Sequence, residues 1–235
     1  MSVFAQLVEQ LARALEPLFH TSAAAAAIVL FTAFVRLLVL PLSLAAARGH
    51  KARAALQPKI AELRKKHAKD PERLQRAVLA LHAEEKVSPL AGCLPGLLQA
   101  PAFLLLYYLF SSPSIGGEAN ALLGERLLGA PLGDRWADAL GAGGVFGEAG
   151  MVYVVLFAVV ACVAGFTFRR TRRMVAAGEF GGGDQAVPGA AAIGRVMPFV
   201  SFFTLVTVAV VPLAAALYVV TSTTWSAVER AVLYR

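Results

Sequence analysis

Arg36 stands in the middle of an otherwise apolar run, Ala23 to Leu44, which reads AAAAAIVLFTAFVRLLVLPLSL. At about 1.5 Å per residue the run makes a helix of about 33 Å, enough to cross a hydrocarbon core of about 30 Å. A guanidinium stays protonated in proteins, and at mid-helix depth it costs roughly 2.5 to 3.5 kcal/mol on insertion scales. A charge held there needs partners or water, which makes it a functional hypothesis from the start. Snorkelling is disfavoured, because Leu44 lies about 12 Å further along the axis. The chemistry open to Arg36 is attraction of an anion inside a low-dielectric setting.

The elements around it must therefore be membrane helices. The chain is 58% hydrophobic and only 16% charged, too apolar to keep one soluble core covered. Four more apolar stretches follow: Leu90 to Phe110, Met151 to Phe168, Val196 to Val211, and Leu213 to Val232. The last two abut at Pro212; as one continuous helix, residues 190–234 would reach about 67 Å, roughly twice a bilayer, so two spans are the better reading. The expected fold class is all-α, with five transmembrane helices and a cytoplasmic helical hairpin.

Charge placement predicts the orientation. Eleven Lys or Arg fall between Ala45 and Ser88, and Arg169, Arg170, Arg172 and Arg173 close the third span. With Arg195, Arg230 and Arg235 this puts 18 basic residues on one side, against Arg13, Arg126 and Arg135 on the other. The basic side is cytoplasmic by the positive-inside rule, so the N-terminus is expected outside and the C-terminus inside. The net charge of +7 is a topology signal first, and an attraction to anionic lipid or ribosomal RNA second.

The expected divisions are an outer amphipathic helix at 1–22, the first span at 23–44, a basic cytoplasmic hairpin at 45–88 and the second span at 89–111. An outer loop at 112–150, the third span at 151–168, a cytoplasmic loop at 169–194 and the last two spans at 195–235 complete the chain. No basic region precedes an apolar one near the N-terminus, so a cleaved signal peptide is not expected. In the hairpin, Leu56, Ile60, Leu63 and His67 make one apolar stripe and Leu74, Val78 and Leu81 a second, separated by a helix start with Asp70 as N-cap and Pro71 at the first helical position. The outer loop carries leucines around Leu122 to Leu128 and Trp136, and reads as lying on the outer leaflet. Residues 179–189, with three consecutive glycines and Pro188, read as a linker. Cys93 and Cys162 fall inside spans without metal-ligand spacing and read as packing residues. No P-loop, HExxH or Ser, His, Asp set is present, so neither an enzyme nor a cofactor is expected.

The run VRLLVLPL, then QPKIAELRKKH with DPERLQR, then VSPLAGCLPGLLQAPAFLLLYYLF, and finally MPF and LYVVTST, in this order, resembles the YidC/Oxa/Alb family of membrane protein insertases. The resemblance covers about Phe31 to Trp225, and the short chain is similar to Gram-positive or actinobacterial members. It implies that Arg36 faces a hydrophilic groove open to the cytoplasm and to lipid and sealed toward the outside. Nascent membrane proteins would pass from the cytoplasm through that groove into the bilayer.

On this reading the groove residues beside Arg36 are Thr32, Gln99, Thr167, Ser201, Thr204, Tyr218, Thr221 and Ser222, with Thr207, Thr223 and Thr224 as further hydroxyls. Gln99 is the strongest of them, since its amide is costly to leave facing lipid. Lys59, Arg64, Lys65 and Lys66 are the hairpin's contact residues. The implied partners are nascent membrane proteins, the ribosome, the Sec translocon and anionic lipids, with no DNA, and the implied location is the cell membrane. Two departures stand out: Val219 follows Tyr218, and TSTT occupies 221–224 where TSN is usual. The rival readings are a small-solute transporter or channel, and an assembly factor that holds membrane subunits without inserting them.

Overall fold

The computed structural model describes residues 2–68, 70–85, 104, 107–115, 117–176 and 196–233. Most of the expected second span, and the 179–189 linker, lie outside them; a helical turn at 107–111 is described.

The described chain is predominantly helical. Helix α1 (Ser2–Phe19) buries Val8 and partly buries Leu11 and Leu15, an i, i+3, i+7 stripe that it lays against α2. A short 3-10 turn (His20–Ser22), with His20 at φ 49°, leads into α2 (Ala23–Lys66). Helix α2 is unbroken for 44 residues, so the expected boundary at Leu44 is invisible in the backbone. Ala, Leu, Arg and Lys, all strong helix formers, fill the junction, and Pro41 and Pro58 each remove one donor without ending the helix.

Helix α3 (Pro71–Glu84) starts on a cap in which Asp70 Oδ1 accepts from the Arg73 N–H at 2.9 Å. It folds back on the far end of α2, where Leu56 and Ile60 are buried and Lys59 pairs with Glu85. The hydrogen bond that Lys59 donates to the Glu85 carboxylate holds its ammonium above its ordinary pKa.

Two small hairpins follow: β1 (Ser114–Ile115) with β2 (Glu118–Ala119), and β3 (Arg126–Leu127) with β4 (Ala130–Pro131), both antiparallel. They give the loop a folded structure beyond the short amphipathic piece expected around Leu122 to Trp136. Leu122 and Leu132 are buried, and after β4 the chain turns into α4 (Trp136–Gly143), whose Trp136 stacks on Tyr153 and Phe157. The segment folds over one end of the bundle because burying these leucines and the indole against other side chains removes more apolar surface from water than a flat loop would.

Helix α5 (Glu148–Ala176), a 3-10 segment (Met197–Phe202), α6 (Phe203–Val210) and α7 (Leu213–Leu233) complete the described bundle. Pro212 forces Val211 into an extended conformation, ψ 157°, which separates α6 from α7. The first N–H groups of α7 are satisfied from the folded loop: Leu213 donates to the Asp134 carbonyl and Ala214 to the Leu132 carbonyl, both at 2.8 Å. Tyr153 donates its hydroxyl to the same Asp134 carbonyl at 2.6 Å.

This end is the packed core. Ala24, Ala25, Ala27, Ile28 and Phe31 of α2 and Val152, Tyr153 and Leu156 of α5 belong to one buried cluster, in which both helices pack on α7, and every residue from Val211 to Val220 is buried. Past Val220 the packing loosens: Thr221 and 223–227 are only half-buried. Phe34, Leu37 and Leu38 of α2, Val155 of α5 and Phe203 and Val210 of α6 are exposed, an apolar surface that suits lipid contact rather than water. Among the described residues, the α1–α2 stretch and α5 are long and apolar enough to cross a bilayer; Met197–Val210 is a shorter apolar helix. Cys162, expected to pack inside, is exposed on α5.

Candidate functional site around Arg36

Arg36 lies on α2 five residues beyond Phe31, the last buried apolar side chain of that helix in the packed core, and one turn beyond the buried Thr32. It is half-buried, at the boundary between the capped end and the looser end. Its Nη2 donates to the Ser222 carbonyl at 3.2 Å and to the Ser222 hydroxyl. A helix carbonyl and a hydroxyl thus replace part of the hydration that the guanidinium loses. The carbonyl is shared with Ser226, whose hydroxyl donates to it at 2.9 Å.

One turn before Ser222, the Tyr218 phenol hydrogen-bonds with the Ser222 hydroxyl and lies within electrostatic range of Arg36. Its ring is held by a tilted contact with Phe110 at 6.1 Å between centroids. Arg36, Tyr218 and Ser222 therefore form one connected group, positioned by α2 and α7. A guanidinium has five N–H donors, and two of the bonds recorded for Arg36 go to Ser222, so the group keeps the capacity to bind an incoming acceptor.

The other hydroxyls are placed differently. Thr32 is 1% exposed and donates to its own helix, to the Ile28 carbonyl at 2.7 Å. Ser201 donates to the Pro198 and Ala164 carbonyls at 2.8 and 3.3 Å, tying the 3-10 segment to α5. Thr207 and Thr223 also bond back to their own helices, at 3.3 Å to Phe203 and 2.8 Å to Val219. Thr167, Thr204 and Thr221 are half-buried on α5, α6 and α7. Gln99 lies outside the described residues.

Of the hairpin residues, Lys59 is engaged with Glu85, Arg64 is half-buried, and Lys65 and Lys66 are exposed in the last turn of α2, where cations complement the helix dipole. A cavity of about 610 Å³ lies beside α1 and the folded loop, lined by Glu9, Arg13, Glu16, His20 and Glu125. It opens beside the start of α2, 12 residues before Arg36, and is separate from this group.

Sequence reasoning missed Glu229. It is the seventh residue after Ser222, two turns along the same face of α7, and it too is within electrostatic range of Arg36. Its Oε1 is enclosed by protein and accepts no hydrogen bond among the described residues; the Thr224 hydroxyl is in the same condition. The i, i+7 spacing from Ser222 was the available signal.

The 60Kd inner membrane protein family matches residues 15–235. A Clostridium perfringens protein named membrane protein insertase YidC is 39% identical over 110 residues, 47% of this chain and 43% of that protein. Proteins of the same name from Magnetococcus marinus and Chloroherpeton thalassium are 44% and 34% identical over 81 and 93 residues, which are 34% and 40% of this chain. The matched part spans less than half of the first relative and about one sixth of the other two, 15% and 16%.

Proposed function

The chain belongs to the 60Kd inner membrane protein family, and on that premise we propose that it is a membrane protein insertase. The single observation that carries the mechanism is the bonding of Arg36 to Ser222, at the edge of a core that among the described residues is packed more closely at one end than at the other. An acidic or hydrated segment of a nascent protein enters from the looser end and is drawn to the guanidinium, which shortens its passage through hydrocarbon. The client's apolar segment meanwhile moves into lipid beside the exposed faces of α2 and α6. Burial of that segment drives the step, at about 0.8 kcal/mol per buried CH₂, so no nucleotide is required.

In this reading the protein has five spans. The N-terminus and the folded 112–150 loop are outside, and the α2–α3 hairpin and the C-terminus are cytoplasmic, as the basic residues demand. Hence the capped end seals the site toward the outside and the looser end faces the cytoplasm. The basic end of α2 meets nascent chains, ribosomal RNA or anionic lipid, and the Sec translocon is a further partner. Arg36 answers an anionic group on a peptide rather than a solute in this reading, which the exposed apolar surface beside its site supports.

The test is insertion of a short single-span client into liposomes containing only the purified protein, read by protease protection. Insertion well above that of empty liposomes is expected. Background insertion with a folded protein would leave the assembly-factor reading, and flux of a small anion would support the transporter.

A further inference from the structure

Glu229 is a carboxylate on α7, a helix read above as a span, that the mechanism above does not use. Seven residues advance about 10.5 Å along an α-helix and return to nearly the same face, so Glu229 lies below Ser222 on the side that meets Arg36. Helical side chains lean toward the N-terminus, which tilts the Glu229 carboxylate toward Ser222 and the guanidinium bonded to it. The two charges make no ion pair at contact distance; the ion pairs among the described residues are Lys59–Glu85, Arg73–Asp70 and Arg76–Glu72. An enclosed carboxylate oxygen without a hydrogen bond is unfavourable, and a positive charge within electrostatic range offsets that. Arg230, the other charge in range of Arg36, is exposed and follows Glu229 on α7, about 100° around the helix.

We propose that Glu229 is the internal counter-charge of Arg36, setting how strongly the site discriminates in favour of acidic client segments. With no client present, Glu229 offsets part of the guanidinium's field. A client carboxylate competes with it, so a weakly acidic segment is drawn less than it would be by Arg36 alone. The proposal rests on the insertase reading for its client half; its electrostatic half stands by itself.

The experiment has two arms on the full-length protein in nanodiscs or liposomes. In the first, Cys93→Ser and Cys162→Ser remove the native thiols, and Ser226→Cys places one reporter on the α7 face between Ser222 and Glu229. Its rate of labelling by N-ethylmaleimide against pH reports the thiol's apparent pKa, hence the local potential. Glu229→Gln should lower that pKa by about one unit, about a tenfold rise in thiolate fraction at pH well below both values, and Arg36→Ala should raise it. Glu229→Asp keeps the charge and should stay near the parent profile, which separates a charge effect from a packing effect. In the second arm, Glu229→Gln should raise the insertion ratio of a one-carboxylate client over its neutral twin several-fold.

An unmoved thiol profile in Glu229→Gln overturns the proposal whatever insertion does. A moved profile with an unchanged client ratio also overturns it, because the counter-charge then tunes nothing. Failure of the parent protein to insert any client refutes the insertase reading instead, and the thiol arm still decides the electrostatic half.

Discussion

Ser222 gives Arg36 two acceptors from one residue, its carbonyl and its hydroxyl, so the guanidinium is tied to α7. Arg36 was legible in the sequence because a lone charge in an apolar run has a cost that must be met. Which hydroxyl met it was not legible, since Ser and Thr in membrane helices bond back to their own carbonyls in any case, as Thr32, Thr207 and Thr223 do. Glycine at 150 shows another residue-scale constraint that composition conceals. A Cβ there would stand 2.2 Å from the Gly144 carbonyl oxygen and 2.6 Å from that of Val145, both backbone atoms that cannot swing away. Gly150→Ala should therefore destabilise the fold by about 1 to 3 kcal/mol, in the range of overpacking, seen as a lower thermal midpoint in detergent. An unchanged midpoint would mean that the α4–α5 turn yields freely.

At the scale of elements, the helix start at Asp70 and Pro71 was readable because capping chemistry is local. The continuity of α2 was not, since a change from apolar to basic residues alters the solvent of a helix without breaking its backbone. The two small hairpins were hidden for a different reason: strands of two residues carry no periodicity. Asp70→Ala should cost α3 about 1 kcal/mol, visible as faster amide exchange in 71–84 with the 213–220 region unaffected.

Because Lys59 has its pKa raised by Glu85, its contribution is complete below the ordinary lysine value of 10.5 and fades as pH rises through the higher folded value. Hairpin docking should thus survive neutral pH and loosen in strong alkali, checked by exchange in 71–84 against pH. We further expect that replacing Leu56 to Leu81 with a short linker leaves the membrane core folded and abolishes insertion, because among the described residues α3 packs chiefly on the far end of α2. Full activity after the deletion would reduce the hairpin to a connector.

At the largest scale, the described residues form a bundle with one packed end and one more loosely packed end, with Arg36 between them. Val211 to Val220 are all buried, whereas Thr221 and residues 223–227 are only partly so. That asymmetry could not be read from hydropathy, which treats both halves of a span alike. It arises because the folded loop supplies carbonyls to the start of α7 and side chains to the core. A charge at such a boundary can be reached from one side and remain in a low-dielectric setting, where a pair about 4 Å apart is worth roughly 4 kcal/mol at an effective dielectric near 20.

The central claim is that Arg36 acts by its charge on the client. The decisive measurement is the insertion yield of three matched clients bearing zero, one or two acidic residues, normalised to folded protein, for the parent and for Arg36→Lys, Arg36→Ala and Arg36→Glu. Arg36→Lys should keep much of the yield, since the unit charge remains although the planar fork is lost. Arg36→Ala should lose the acidic clients and spare the neutral one, and Arg36→Glu should be worse still by repulsion. Equal losses across all three clients would contradict the account and make Arg36 a structural tie to Ser222.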